Sequence, residues 1–224
     1  ERRLLAAASP WLQRLIIAAL ETGARRGELL ALQWRDVGLP RGELTFRAET
    51  TKTRQARTIP ISPALRAVLD LLRLDPTGRE LPPTAYVFGD RAGGRVGSPK
   101  KAWEACVLRA HGHPPQYRGT ALDAASRARY AEIDLHFHDL RHEAGSRLVE
   151  RGWPVHHVQA MLGHADLKTT STYLNLTRTG LADSMRRYGT GPDTPLHNLA
   201  HAPGSDPRPS VQAPMAPAPQ VTVN

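Results

Sequence analysis

Apolar residues recur at helical spacing in PWLQRLIIAALE, residues 10–21. Ser9 stands where an N-cap is needed, Pro10 falls in the first turn, and Gly23 marks the stop. RRGELLALQWRDV, residues 25–37, predicts a second helix with Leu29, Leu30, Leu32 and Trp34 as its apolar side. The period then changes. GELTFRAE (42–49) and RTIPIS (57–62) alternate apolar and polar positions, which predicts two strands joined by the polar, basic turn TTKTRQA. SPALRAVLDLLRL (62–74) returns to helical spacing behind a serine cap. Residues 75–100 predict irregular chain, with YVF at 86–88 as a short strand, and SPKKAWEACVLRAH (98–111) predicts a capped helix. The stretch 111–134 has little periodicity, although ALDAASRARYAEI within it has helical character. HDLRHEAGSRLVERG (138–152) predicts a helix closed by Gly152, VHHVQAMLG (155–163) one closed by Gly163, and DLKTTSTYLNL (166–176) one more. The expected fold is mainly α with a small antiparallel β-sheet, an α+β arrangement. No internal repeat is visible.

Composition divides the chain in two. Its 224 residues suffice for one sizeable domain and a tail, and 40% of them are hydrophobic, enough for a packed core. Residues 191–224 hold eight of the 19 prolines, in runs such as PRPSVQAPMAPAPQ. Such a segment buries too little apolar surface to offset its ordering entropy. A folded domain over residues 1–188 and a proline-rich, disordered tail over 189–224 are therefore expected. Because the chain starts with Glu1 rather than Met, it reads as a piece of a longer protein.

Charge narrows the function. A formal net charge of +9 on a domain of this size suits a polyanion, with nucleic acid ahead of an anionic membrane. No apolar run approaches the roughly 20 residues needed to span a bilayer. The one cysteine, Cys106, excludes an internal disulfide and a cysteine-based metal site. With no visible signal peptide, a reducing cytoplasm is the expected compartment.

Five places carry candidate chemistry. TGARRGEL presents Arg25 and Arg26 at a helix start, where backbone amides and guanidinium groups suit an anion. Lys52 falls at the tip of the predicted hairpin. HDLRH places His138 and Arg141 three apart, hence on one helical face. His138 and His142 are four apart, but the Glu of a zinc-binding HExxH helix is missing, so phosphate binding fits better than a metal. His164 follows Gly163 in a turn, and Tyr173 lies nine positions further on. Taken singly, each is as readily a surface cation, a capping histidine or a core tyrosine.

Together they are the parts needed to cleave a phosphodiester without a metal. Two guanidinium groups hold the nonbridging oxygens and neutralise charge as it builds at phosphorus. One histidine takes or orients the nucleophile's proton, another donates to the phosphate, and a lysine protonates the leaving oxygen. A tyrosine suits the nucleophile's place because its phenol, with a pKa of about 10, also leaves well when the step reverses.

TGARRGELLALQW, TKTRQARTIPI, HDLRHEAGSRL and MLGHADLKTTSTYLN, in that order, resemble the tyrosine recombinase (phage integrase) family over about residues 10 to 180. The resemblance implies the family's catalytic-domain fold. It makes Arg25, in the fourth place of TG-x-R, the first catalytic arginine, with Arg26 a neighbour on the DNA backbone or the surface. Glu28 is the acidic residue that supports the active-site arginine. Lys52 is implied as general acid for the 5′-hydroxyl, Arg141 as the second phosphate clamp, and His138 as general base. His164 becomes the donor to a nonbridging oxygen and Tyr173 the nucleophile. The implied activity is cleavage and rejoining of double-stranded DNA through a 3′-phosphotyrosyl link, with no metal, cofactor or ATP, in a tetrameric synapse at the nucleoid. Family members carry a core-binding domain ahead of the catalytic one, and none precedes it in this sequence. The segment 111–134 is longer than the usual link, and its Tyr117 and Tyr130 lack an LGH-type partner upstream. The other readings are a DNA-binding relative without catalysis, a type IB topoisomerase-like nicking-closing enzyme, and a metal-dependent nuclease, for which no carboxylate cluster is visible.

Overall fold

The computed structural model describes residues 1–51 and 54–164. Helix α1 (Arg2–Ala7) leads into α2 (Pro10–Thr22) and the short α3 (Arg26–Ala31). A three-stranded sheet follows, made of β1 (Val37–Gly38), β2 (Glu43–Phe46) and β3 (Arg57–Pro60), and then α4 (Pro63–Leu72). After a long irregular stretch come α5 (Lys100–Ala110), a small hairpin of β4 (Tyr117–Arg118) and β5 (Ala121–Leu122), α6 (Ala124–Ile133), α7 (Asp139–Glu150) and α8 (Val155–Leu162). The fold is mostly helical with small antiparallel sheets. No helix among the described residues is long and apolar enough to cross a membrane.

The core forms around α2. Leu12, Leu15, Ile16, Ala18, Ala19 and Leu20 are all buried, and the helix packs between α4 and α7. Its ends are set by the residues that the sequence marks. The Ser9 hydroxyl accepts from the Leu12 N–H at 3.4 Å, and Gly23 closes the helix in the left-handed region at φ 60°. Ser62 caps α4 through the Leu65 N–H (3.2 Å) and donates to Glu21 Oε2 (2.6 Å), fixing the start of α4 to α2. In the sheet, Leu44 pairs with Ile59 and Phe46 with Arg57. Leu44, Phe46 and Ile59 turn to the core, while the Thr45 and Thr58 hydroxyls meet at 2.9 Å on the other face.

The expected helix over 25–37 is not continuous. It ends at Ala31, and the chain passes through an extended stretch and a 3-10 turn (Trp34–Asp36) into β1. The cause is pairing with a distant segment. Val87 N–H donates to Leu32 O (2.9 Å), Trp34 N–H to Ala85 O (3.0 Å) and Arg35 N–H to Pro83 O (2.8 Å). Asp36 accepts from the Gln33 N–H at 3.0 Å and from Arg47, which fixes the turn. Tertiary hydrogen bonds thus override a good helical pattern. The same pairing accounts for YVF, where Tyr86 forms one bridge with Gln33 rather than a strand.

Within 111–134, the helix is present as α6, capped by Asp123 through the Ser126 N–H (2.7 Å). The hairpin β4–β5 before it was not expected. At the end of this region Trp103 donates to Leu135 O (3.1 Å) and meets Phe137 edge-on at 5.2 Å. These contacts fix the chain just before His138. Lys52, Tyr173, the expected helix over 166–176 and the proline-rich tail lie outside the described residues.

Candidate active site: two arginines and two histidines at the end of the central helix

The site is built where α2 stops. Gly23 has two reasons to be glycine: its left-handed φ, and the side chain of Leu162, into which a Cβ would project. Its carbonyl accepts from Arg141 Nη1 at 2.6 Å. Arg141 is 3% exposed, so this contact aims a buried guanidinium from the first turn of α7 towards the α2–α3 junction. Two residues past Gly23, Arg25 occupies the N-cap of α3 in an extended conformation. Glu28, one turn on, accepts from the Arg25 backbone N–H (2.9 Å) and from Arg25 Nη1 (3.1 Å). The carboxylate thereby fixes both the backbone and the side chain of Arg25.

Glu28 is itself held from β3. Arg57 Nη2 donates to its Oε2 at 2.7 Å and Nη1 to its Oε1 at 3.2 Å, a two-pronged contact suited to the guanidinium fork. Arg57 also lies over the Phe46 ring, 4.3 Å from its centroid, and its Nε donates to Met161 O at 3.2 Å. Burial pushes the Glu28 carboxyl up, but the bonds and charge of Arg57 and the bonds from Arg25 outweigh it and hold it below the usual range.

His138 and His164 complete the cluster. His138 is the N-cap of α7, and its ring meets that of His142 edge-on at 5.0 Å. Among the described residues no set of three metal-ligating side chains forms with this pair. Gly163 ends α8 at φ 67° and sets His164 beside Arg57, Arg141 and Arg25. Desolvation, then Arg141, Arg25, His142 and Arg57, lower the His164 pKa to about 4. His138 is lowered too, by desolvation first and then by His142, Arg141 and Arg25, with Asp139 opposing. Both shifts favour the neutral imidazole. Each can donate one N–H and accept one proton, and both sit in a positive field that favours an anion.

These four groups come from three separate stretches of chain: Arg25, the His138–Arg141 turn, and His164. Residues 1–179 match the Phage integrase family. The chain belongs to that family. Tyrosine recombinase XerA of Pyrococcus furiosus is 32% identical over 178 residues, which cover 78% of this chain and 54% of the relative. The chain thus spans about half the length of that curated relative. Among solved structures, the catalytic domain of bacteriophage HP1 integrase superposes with a TM-score of 0.54 at 24% identity, covering 83% of this chain and 89% of that one. The Tn1549 transposon integrase, solved with transposon right end DNA, gives 0.60 at 14% identity, covering 84% and 63%. These likenesses show that the fold is the integrase catalytic fold.

Of the residues expected to act in this integrase-family chain, Arg25, Glu28, His138, Arg141 and His164 gather at one place. Lys52 and Tyr173 are outside the described residues. Tyr130 is held elsewhere, its hydroxyl donating to Leu135 O at 3.1 Å with burial raising its pKa, and Tyr117 is exposed on β4. Arg26 is exposed and lines a cleft of about 610 Å³ beside Arg25 and His138, to which Lys100 and Trp103 also contribute. The sequence reading missed Arg57. It stands inside TKTRQARTIPI, but nothing local marks it, because its partners lie 29 and 104 positions away.

Proposed function

We propose that this domain is the catalytic part of a tyrosine-type site-specific recombinase, which cleaves and rejoins double-stranded DNA. What carries the reading is the convergence of Arg25 and Arg141 with His138 and His164, in a family whose relatives include XerA recombinase. Arg25 and Arg141 hold the nonbridging oxygens of one phosphodiester, and His164 donates its N–H to one of them. The Tyr173 hydroxyl attacks phosphorus and gives its proton to His138. The bond to the 5′-oxygen breaks, and that oxygen takes a proton from Lys52. The energy of the broken bond is retained in the 3′-phosphotyrosyl ester, so a 5′-hydroxyl of another strand can reverse the step without ATP. Guanidinium charge does the neutralising that a metal would otherwise supply.

The catalytic unit runs over residues 1–188, with 189–224 a proline-rich tail outside it. Arg26 and Lys100, on the walls of the cleft beside the site, contact flanking phosphates of the duplex. Strand exchange takes place in a tetramer of protomers on DNA, in the cytoplasm at the nucleoid. The test is incubation with a nicked suicide substrate in EDTA. A covalent protein–DNA band that disappears in Tyr173→Phe is expected. No band, or a band only when divalent metal is supplied, would sink the proposal in favour of a DNA-binding relative or a metal nuclease.

A further inference from the structure

We infer that Arg57 is a positioning residue for the cleavage step: from β3 it locks Glu28, and through it Arg25, to the end of α8 that carries His164. The inference rests on the recombinase reading above and names a residue to which that reading gives no role. Three observations carry it. Arg57 grips both oxygens of Glu28, the carboxylate that fixes the Arg25 backbone and guanidinium. Its third donor, Nε, binds Met161 O in the last turn of α8, three residues before His164. Gly163 is the remaining contact: a Cβ there would lie 2.9 Å from Arg57 Cδ, so the turn into His164 closes directly on the arginine side chain. One guanidinium thus sets the spacing between two groups that must meet the same phosphate from different segments. Only 10% of the Arg57 side chain is exposed and all three of its nitrogens are engaged within the protein, so it acts through its neighbours and does not itself hold DNA. Lysine cannot replace it, because one ammonium cannot span three acceptors in a plane.

The test uses the full chain and saturating amounts of a nicked substrate, and compares single-turnover adduct formation for wild type, Arg57→Gln and the double variant Glu28→Gln/Arg57→Gln. The double variant removes the buried carboxylate that Arg57→Gln alone would leave short of charge, and circular dichroism checks that each variant is folded. DNA affinity should stay within error, while the adduct rate falls by about a hundredfold, as for a misplaced reacting group. On a substrate with a methylphosphonate at the cleavage site, which needs less cationic compensation, that deficit should shrink by about tenfold. A purely structural loss would be the same on both substrates. Equal deficits in folded variants, or a wild-type rate in either, overturn the role of Arg57 while leaving the recombinase reading intact. Absence of any Tyr173-dependent adduct from wild type overturns both.

Discussion

Arg57 and Arg73 each hold a carboxylate at close range, 2.7 Å to Glu28 and 2.6 Å to Glu80. By distance the pairs are alike, but their surroundings are opposite. The Glu28 and Arg57 side chains are 1% and 10% exposed, those of Glu80 and Arg73 68% and 44%. In water the second pair gains little from attraction and loses side-chain freedom to hold its geometry. Buried, the first is retained only because Glu28 is satisfied at once by Arg57, the Arg25 guanidinium and the Arg25 N–H. One pair decorates a loop at the end of α4, whereas the other sets the position of Arg25, the arginine proposed to hold the phosphate. Distance alone does not separate structural decoration from a site.

Breaking that contrast gives the largest effects at the site itself. Arg141→Ala should lower the rate of DNA cleavage by about three orders of magnitude, as expected for removing a charge aimed at the transition state, while filter binding shows most DNA affinity retained. A variant that cleaves normally would remove Arg141 from the clamp. Glu28→Ala leaves Arg57 buried without its counter-charge and should cost about 3 kcal/mol of stability in urea unfolding. A loss no larger than that of a surface variant would mean the buried pair is not coupled to the fold.

A smaller effect should follow pH. His164 has a folded pKa of about 4, below its ordinary value of 6.5, so between these values the unfolded chain binds the extra proton. Stability is therefore complete above pH 6.5 and declines as pH falls towards 4. His164→Asn should flatten the dependence of Tm on pH in that window, and an unchanged slope would place the proton elsewhere. The smallest effect belongs to the exposed pair. Arg73→Ala should change stability by less than about 1 kcal/mol and leave cleavage unaltered.

The parts of this architecture written in local pattern were readable before the structure. Ser9 and Ser62 as caps, Gly23 and Gly163 as stops, and the amphipathic α2 and α4 each depend on neighbours within a few residues. The helix expected over 25–37 failed because its second half pairs with residues 83–87, and no local signal announces a partner fifty positions away. The β4–β5 hairpin was missed because two-residue strands are too short to show alternation, although Gly119, at φ 62°, supplies the turn. For the site, motif order brought forward Arg25, Glu28, His138, Arg141 and His164. Arg57 stayed hidden because its importance arises only from what meets it in space.

The most direct measurement is to digest the adduct formed on a nicked suicide substrate and locate the nucleotide by mass spectrometry. A single modified peptide is predicted, with Tyr173 esterified to a 3′ phosphate of the DNA. A nucleotide on any other tyrosine, or one linked through a 5′ phosphate, would contradict it.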